Sequence, residues 1–116
     1  MSVDRRTPRY KIRKKIEFHN SKTFVSSYML DISAGGVFIE TEVPLPIDAP
    51  CALRLNIPGD QEIMDLQGHV VWIKQRSKSF PAGMGIHFIN VSPEQASKIR
   101  DFIQTIQQTG TGGASR

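Results

Sequence analysis

The alternation of hydrophobic and polar positions is the main structural signal in this chain. Ile12, Ile16 and Phe18 fall on one face of an extended segment, and charged residues occupy most of the other face. A period of two residues is typical of a half-buried β-strand. The same alternation, or a run of strand-forming residues, predicts strands over residues 12–18, 23–30, 37–41, 51–57, 62–74 and 84–88.

Polar, glycine and proline residues between these strands predict the connections. They predict turns or loops at residues 19–22, 31–36, 58–60 and 75–81. Within residues 31–36, Gly35 and Gly36 permit backbone angles that other residues avoid. Gly68 predicts a bend or a bulge within the fifth strand.

The hydrophobic period changes after residue 91. Ser92, Pro93 and Gln95 have the sequence of a capping box, with a proline at the first helical position. The apolar residues that follow at helical spacing are Ala96, Ile99, Phe102, Ile103 and Ile106. Six short strands followed by one helix favour a mainly β fold, either a compact barrel or a sandwich capped by a C-terminal helix.

Length and composition indicate a single folded domain. The chain has 116 residues, of which 39% are hydrophobic and 22% are charged. We expect a flexible basic arm at residues 1–10, the folded domain at residues 11–108 and a disordered tail rich in Gly, Ser and Thr at residues 109–116. The longest strongly apolar run, residues 70–73, is too short to cross a membrane, and the N-terminus does not resemble a signal peptide. The single cysteine, Cys51, suits a reducing compartment, so we expect a cytoplasmic protein.

Positive charge is concentrated at the N-terminus. The formal net charge is +4, but residues 1–15 hold seven basic side chains and one acidic side chain, a net +6 that leaves −2 for the rest. Arg5 and Arg9 are four residues apart, so in an extended chain they point to the same side, roughly 13 Å apart at about 3.3 Å per residue. Guanidinium groups bind phosphate and the O6/N7 edge of guanine, and they stack on purines. An anionic partner would therefore meet this arm.

Residues 31–36 offer complementary groups. Asp31 can accept hydrogen bonds from the N1–H and N2–H₂ donors of guanine, and Ser33 can donate or accept at the same edge. Gly35 and Gly36 let the backbone approach a flat ring or a phosphate. Together with the cationic arm, this loop predicts a site for a guanine nucleotide rather than for a bare polyanion.

The two motifs in this order resemble the signature pair of the bacterial PilZ domain family. The segments that resemble the family are Arg5-x-x-x-Arg9, Asp31-x-Ser33-x-x-Gly36, Gly68-His69-Val70-Val71-Trp72, Gly83-Met84-Gly85-Ile86-His87-Phe88 and Ser92-Pro93-Glu94. The resemblance extends over residues 4–107. It implies a six-stranded antiparallel β-barrel with a C-terminal helix and reversible binding of cyclic di-GMP.

The resemblance also implies the residues that bind. In the family, the two arginines grip the phosphates and contact the guanines, and the Asp-Ser-Gly loop contacts a guanine. Carried over, the expected ligand-binding residues are Arg5, Arg6, Arg9, Asp31, Ser33, Gly35, Gly36 and Trp72. Arg6 is an additional cation on the arm. Trp72 is included as a neighbour of the site, although a tryptophan in such a strand is more often a core residue. The arm would close over the ligand and present a new surface to a downstream protein partner.

Other functions are also compatible with the sequence. A protein-interaction adaptor on the same fold would not bind nucleotide, but both motifs are intact here. Nucleic-acid binding through the basic arm is a further alternative, although the chain has no aromatic-rich strand face for stacking bases. His19, His69 and His87 lack the spacing of metal ligands, and no nucleophile–base pair is evident. We therefore expect neither an enzyme nor a metal cofactor, and no membrane insertion.

Overall fold

Six antiparallel strands close into a barrel, and one helix follows them. The computed structural model describes residues 9–20, 23–56 and 63–107. The strand order around the barrel is β1-β2-β3-β6-β5-β4. The elements are β1 (Tyr10–Asn20), β2 (Thr23–Ser33), β3 (Gly36–Glu40), β4 (Pro50–Asn56), β5 (Ile63–Lys74), β6 (Gly83–Ile89) and α1 (Pro93–Thr105). The predicted six-stranded antiparallel barrel with a C-terminal helix is confirmed, and the sandwich alternative is excluded.

The inward faces of the strands form one apolar core, which the helix joins. Ile16 and Phe18 of β1 are almost completely buried, as their alternation predicts, whereas Ile12 is only partly buried. The other core residues are Met29, Ile32, Val37, Ile39, Cys51, Leu53, Leu55, Met64, Leu66, Val70, Met84, Ile86, Phe88, Ile99, Phe102, Ile103 and Ile106. Burial of this apolar surface holds the helix against the barrel.

A capping box starts the helix, as the sequence predicts. The Ser92 hydroxyl accepts the Gln95 backbone N–H at 3.1 Å, and the Gln95 side-chain oxygen accepts the Ser92 N–H at 3.1 Å. The Gln95 side-chain amide also donates to the backbone carbonyl of Asp65 on β5 at 2.7 Å. The cap therefore fixes both the start of α1 and its position on the barrel.

Ser92→Ala should lower the free energy of unfolding by about 1 kcal/mol, because the helix would lose a hydrogen-bonded N-cap. Chemical denaturation of both proteins measures the difference. The exposed Ser79, in the β5–β6 connection, is a matched control, and Ser79→Ala should change stability by less than about 0.5 kcal/mol. Equal effects of the two substitutions would contradict this role of the cap.

Several element boundaries differ from the sequence prediction. β1 continues through His19 and Asn20, which were predicted to lie in a turn. The predicted loop at residues 31–36 is mostly strand: β2 extends to Ser33 and β3 begins at Gly36, so that the turn has two residues. The irregularity in β5 falls between Val70 and Trp72 rather than at Gly68. The residues on both sides of the turn remain in the barrel sheet, because strand pairing provides hydrogen-bond partners for their backbone N–H and C=O groups.

Gly68 has a different role from the one predicted. A Cβ atom at this position would lie 2.5 Å from the Ile86 side chain and 2.6 Å from the His87 carbonyl oxygen. Close approach of β6 therefore explains the glycine. Most of the predicted arm at residues 1–10, the turn at residues 58–60 and the tail at residues 109–116 lie outside the described residues, and these boundaries remain predictions.

Candidate functional site

The turn between β2 and β3 is held by a buried serine. Ser33 is only 4% exposed, and its hydroxyl accepts the Gly35 N–H at 3.2 Å and donates to the Gly36 carbonyl at 3.4 Å. The Gly35 carbonyl accepts the Phe88 N–H at 2.9 Å, which ties the turn to β6. In this arrangement, Ser33 shapes the backbone of the turn.

Gly36 is required for close packing rather than for an unusual backbone angle. A Cβ atom at this position would lie 2.1 Å from the carbonyl oxygen of Ile86 on the neighbouring strand. At Gly35 the nearest atom to such a Cβ is His87 Cε1, at 4.0 Å, which is an ordinary contact. Neither glycine has a φ angle in the left-handed region, so the turn does not use the left-handed angles that glycine permits.

Arg9 and Asp31 join the two sequence motifs. An Arg9 guanidinium nitrogen donates to an Asp31 carboxylate oxygen at 2.7 Å, across 22 positions of sequence. The two side chains are 34% and 22% exposed, so the pair is accessible to a ligand. Arg9 immediately precedes β1, and the pairing of Lys11 with Asp31 across β1 and β2 brings it there. Arg5 and Arg6 lie outside the described residues.

Asp31 also begins a row of residues on the outer surface of the barrel. Strand register places Asp31 beside Phe38, Phe38 beside Gly85, and Gly85 beside Trp72. The Phe38 and Trp72 rings stack, with centroids 5.1 Å apart and planes 20° apart. The indole lies over Gly85, where a Cβ atom would be 2.2 Å from Trp72 Nε1. Trp72 is therefore partly exposed on the outside of the barrel and is not part of the main core. Its contact with a ligand remains a prediction.

A second row runs parallel to the first. It places Ser33 beside Gly36, Gly36 beside His87, and His87 beside His69. The two imidazole centroids are 5.7 Å apart. Sequence reasoning set both histidines aside as surface residues, and it did not single out Phe38. Their positions depend on strand order, because β3 pairs with β6 rather than with its sequence neighbour β4.

We call this outer surface of β2, β3, β6 and β5 the candidate face. The members that carry polar or aromatic groups are Asp31, Ser33, Phe38, Trp72, His69 and His87. Arg9 lies at its β1 edge, and farther along that edge the Arg13 guanidinium stacks 3.8 Å above the centre of the Tyr28 ring. Phe38 itself is fully buried and packs against the Trp72 and Phe80 rings. The accessible groups are therefore the Asp31 carboxylate, the cations and the partly exposed indole of Trp72, which suit a ligand with a nitrogen-rich ring and phosphate.

Other parts of the described chain do not suggest a metal or nucleophile site. Among residues 9–20, 23–56 and 63–107, no group of three or more His, Cys, Asp or Glu side chains is placed to bind a metal ion. Burial raises the pKa of the Cys51 thiol to about 11, which disfavours the reactive thiolate. No helix of the described residues is long and apolar enough to span a bilayer.

A comparison with known protein families tests the family resemblance that the motifs suggest. The model of the PilZ domain matches residues 4–105, nearly the whole chain. The chain belongs to the PilZ family. The match begins before Arg5 and includes both motifs of this PilZ domain, the candidate face and most of α1. A search of curated proteins found no match.

Solved structures with the same fold include three informative PilZ proteins. The PilZ domain with c-di-GMP of YcgR from Escherichia coli has a TM-score of 0.78 and 15% identity, covering 98% of this chain and 99% of that one. The Bacillus subtilis inhibitor of motility, MotI/DgrA, has a TM-score of 0.76 and 13% identity, covering 93% of this chain and 53% of that one. The K. pneumonia MrkH complex with c-di-GMP has a TM-score of 0.76 and 16% identity, covering 97% and 56%. This chain therefore spans about half of MotI/DgrA and MrkH, and all of the YcgR domain.

Proposed function

We propose that this PilZ domain is a receptor for cyclic di-GMP. The observation that carries the proposal is the Arg9–Asp31 ion pair, which brings one residue of each signature motif into direct contact. The same face carries the partly exposed Trp72. PilZ proteins of the same fold have been solved with c-di-GMP, among them YcgR and MrkH. A receptor acts by binding rather than by catalysis, and we accordingly propose that the protein is not an enzyme and acts in the cytoplasm.

Each group on the site has a chemical counterpart in the ligand. Asp31 would accept the N1–H and N2–H₂ donors of one guanine, and the backbone at Gly35 and Gly36 would lie against the base. The arginines of the first motif, Arg5, Arg6 and Arg9, would bind the phosphates or stack on guanine. Trp72 would add an aromatic contact at the other end of its row.

Binding would exchange one set of ionic contacts for another. In the free protein Asp31 is paired with Arg9. A guanine that bonds to both Asp31 oxygens would compete with that guanidinium, and a phosphate of the same ligand can accept the guanidinium instead. One charge-assisted hydrogen bond is then lost and up to three form, two from guanine to Asp31 and one from Arg9 to phosphate, while the base of the arm changes position. We propose that this movement draws the arm over the ligand and forms the surface that a downstream protein partner binds.

Titration of the purified chain with cyclic di-GMP tests the proposal. Isothermal calorimetry should show saturable binding with a dissociation constant in the micromolar range or below, and should report whether one ligand or a stacked pair binds. Excess double-stranded oligonucleotide should not displace the ligand. An amide NMR spectrum that does not change with excess cyclic di-GMP would contradict the receptor function and favour the protein-interaction adaptor. Competition by oligonucleotide would favour the nucleic-acid-binding module.

A further inference from the structure

Two histidines lie beside the β2–β3 turn on the candidate face. His87 is exposed and is placed by register between Gly36 of β3 and His69 of β5. Its Cε1 atom is 4.0 Å from the position of a Cβ atom on Gly35. The imidazole centroids are 5.7 Å apart and their planes are inclined at 52°. The two histidines therefore lie on the β6 and β5 side of the turn, whereas Asp31 lies on the β2 side.

The charged groups around His87 can be identified from the strand order. On the β5 side it faces His69. On the β3 side it faces Gly36, and the next strand beyond presents Ser33. Asp31, which is already paired with Arg9, lies two residues farther along β2. On its other side, His69 pairs with Pro50 of β4. The loop residue Asp48 is next to this segment, because its backbone N–H donates to the Val70 carbonyl. Within the described residues, His87 is thus exposed and has the His69 imidazole as its ring partner.

We propose that His87, with His69 beside it, is a further ligand-binding residue that contacts a phosphate of cyclic di-GMP in its protonated form. This inference rests on the proposed function. Ser33 lies two strands from His87, and Asp31 lies two residues farther along β2, so that Asp31 and His87 are about 12 Å apart. A cyclic dinucleotide spans a separation of this order between its base edge and its phosphate. Binding should therefore tighten as the pH falls, which adds a pH response to the receptor.

The sign of the response follows from the charges. Histidine changes its charge between about pH 5 and pH 8, whereas a phosphodiester remains anionic throughout that range. A cationic imidazole beside a phosphate forms a charge-assisted hydrogen bond that the neutral imidazole cannot form. The protonated protein consequently binds the ligand more tightly than the neutral protein.

Affinity for cyclic di-GMP should be measured by calorimetry at about pH 6 and about pH 8, at constant ionic strength, on the full chain. The wild type should bind about threefold to tenfold more tightly at the lower pH, a range set by the partial exposure of the site. His87→Gln should lose most of this difference. His87→Lys, which keeps a cation at both pH values, should bind tightly at both. His19→Gln is the matched control, because His19 contacts Phe24 near the end of β1, away from the turn, and should keep the wild-type response.

The outcomes separate this inference from the proposed function. If the wild type binds cyclic di-GMP equally at both pH values, or if His87→Gln retains the full response, the role of His87 is wrong and the receptor function stands. If the wild type does not bind at either pH, both proposals fail. A resonance of the His87 imidazole that shifts on addition of ligand, with no such shift for His19, would support the contact directly.

Discussion

Asp31→Ala should weaken cyclic di-GMP binding by at least about 100-fold, because the ligand would lose two hydrogen bonds to a carboxylate, each worth about 1.5–3 kcal/mol. The same substitution leaves Arg9 without its 2.7 Å partner in the free protein. That loss should change the stability of the fold little, since ion pairs between partly exposed side chains contribute at most about 1 kcal/mol. The expected result is thus a folded protein with a defective site, measured by calorimetry and by thermal unfolding on one sample.

Arg9→Ala should also weaken binding strongly, by about 30-fold or more, because a charge-assisted contact to phosphate or guanine is removed. The chain offers a matched control on another part of the barrel. Arg54 and Asp65 form a cross-strand ion pair between β4 and β5, with a nitrogen–oxygen distance of 3.2 Å. Arg54→Ala and Asp65→Ala remove the same charges and should leave affinity within about twofold of wild type. If Arg54→Ala and Asp65→Ala weakened binding as much as Arg9→Ala and Asp31→Ala, net charge rather than the site would control affinity.

The double variant Arg9→Ala/Asp31→Ala tests the exchange of contacts. If the free-state ion pair competes with the ligand, each single substitution removes a ligand contact and also releases the remaining partner. Arg9→Ala should cost less than Asp31→Ala because it removes fewer hydrogen bonds to the ligand. The effects of the two substitutions should be non-additive, because the residues contact each other. Strict additivity would mean that the pair does not break when the ligand binds.

Much of this fold could be predicted from the sequence because its signals are local. The alternation that buries Ile16 and Phe18 and the capping box at Ser92 both act within a few residues. The two motifs also predicted the residues of the candidate site. Contact between Arg9 and Asp31 could be expected only through the family resemblance, since 22 positions separate them and their meeting depends on the pairing of β1 with β2.

Register shifts in two strands explain why the sequence pattern did not predict the candidate face. Met29 and Ile32 are both fully buried although they are three residues apart, an odd spacing that a regular strand would place on opposite faces. A register shift between Met29 and Asp31 resolves the conflict and turns Asp31 outward beside Phe38. A second shift between Val70 and Trp72 turns the indole outward onto Phe38. A period-two pattern cannot locate such shifts, so the candidate face became visible only with the strand order.

Gly36→Ala should destabilise the domain by about 3 kcal/mol, near the upper end of overpacking effects. The added Cβ would lie 2.1 Å from the Ile86 carbonyl oxygen, which is backbone in a paired strand and cannot rotate away. Either β3 or β6 must shift, and the shift would disturb the hydrogen bond from Ser33 to Gly36 and the position of His87. Chemical denaturation measures the stability loss, and titration under conditions where the variant is folded should show weakened binding of cyclic di-GMP.

Gly35→Ala is the control that isolates this cause. Gly35 is adjacent in sequence and lies in the same turn, but a Cβ there would be 4.0 Å from its nearest neighbour and the backbone is not left-handed. Its stability should therefore remain within about 1 kcal/mol of wild type. The affinity of Gly35→Ala for cyclic di-GMP tests whether the ligand approaches the turn as closely as proposed. A methyl group at residue 35 would obstruct a base lying against the backbone. If both alanines destabilise the fold equally, the contact with Ile86 is not the reason that residue 36 is glycine.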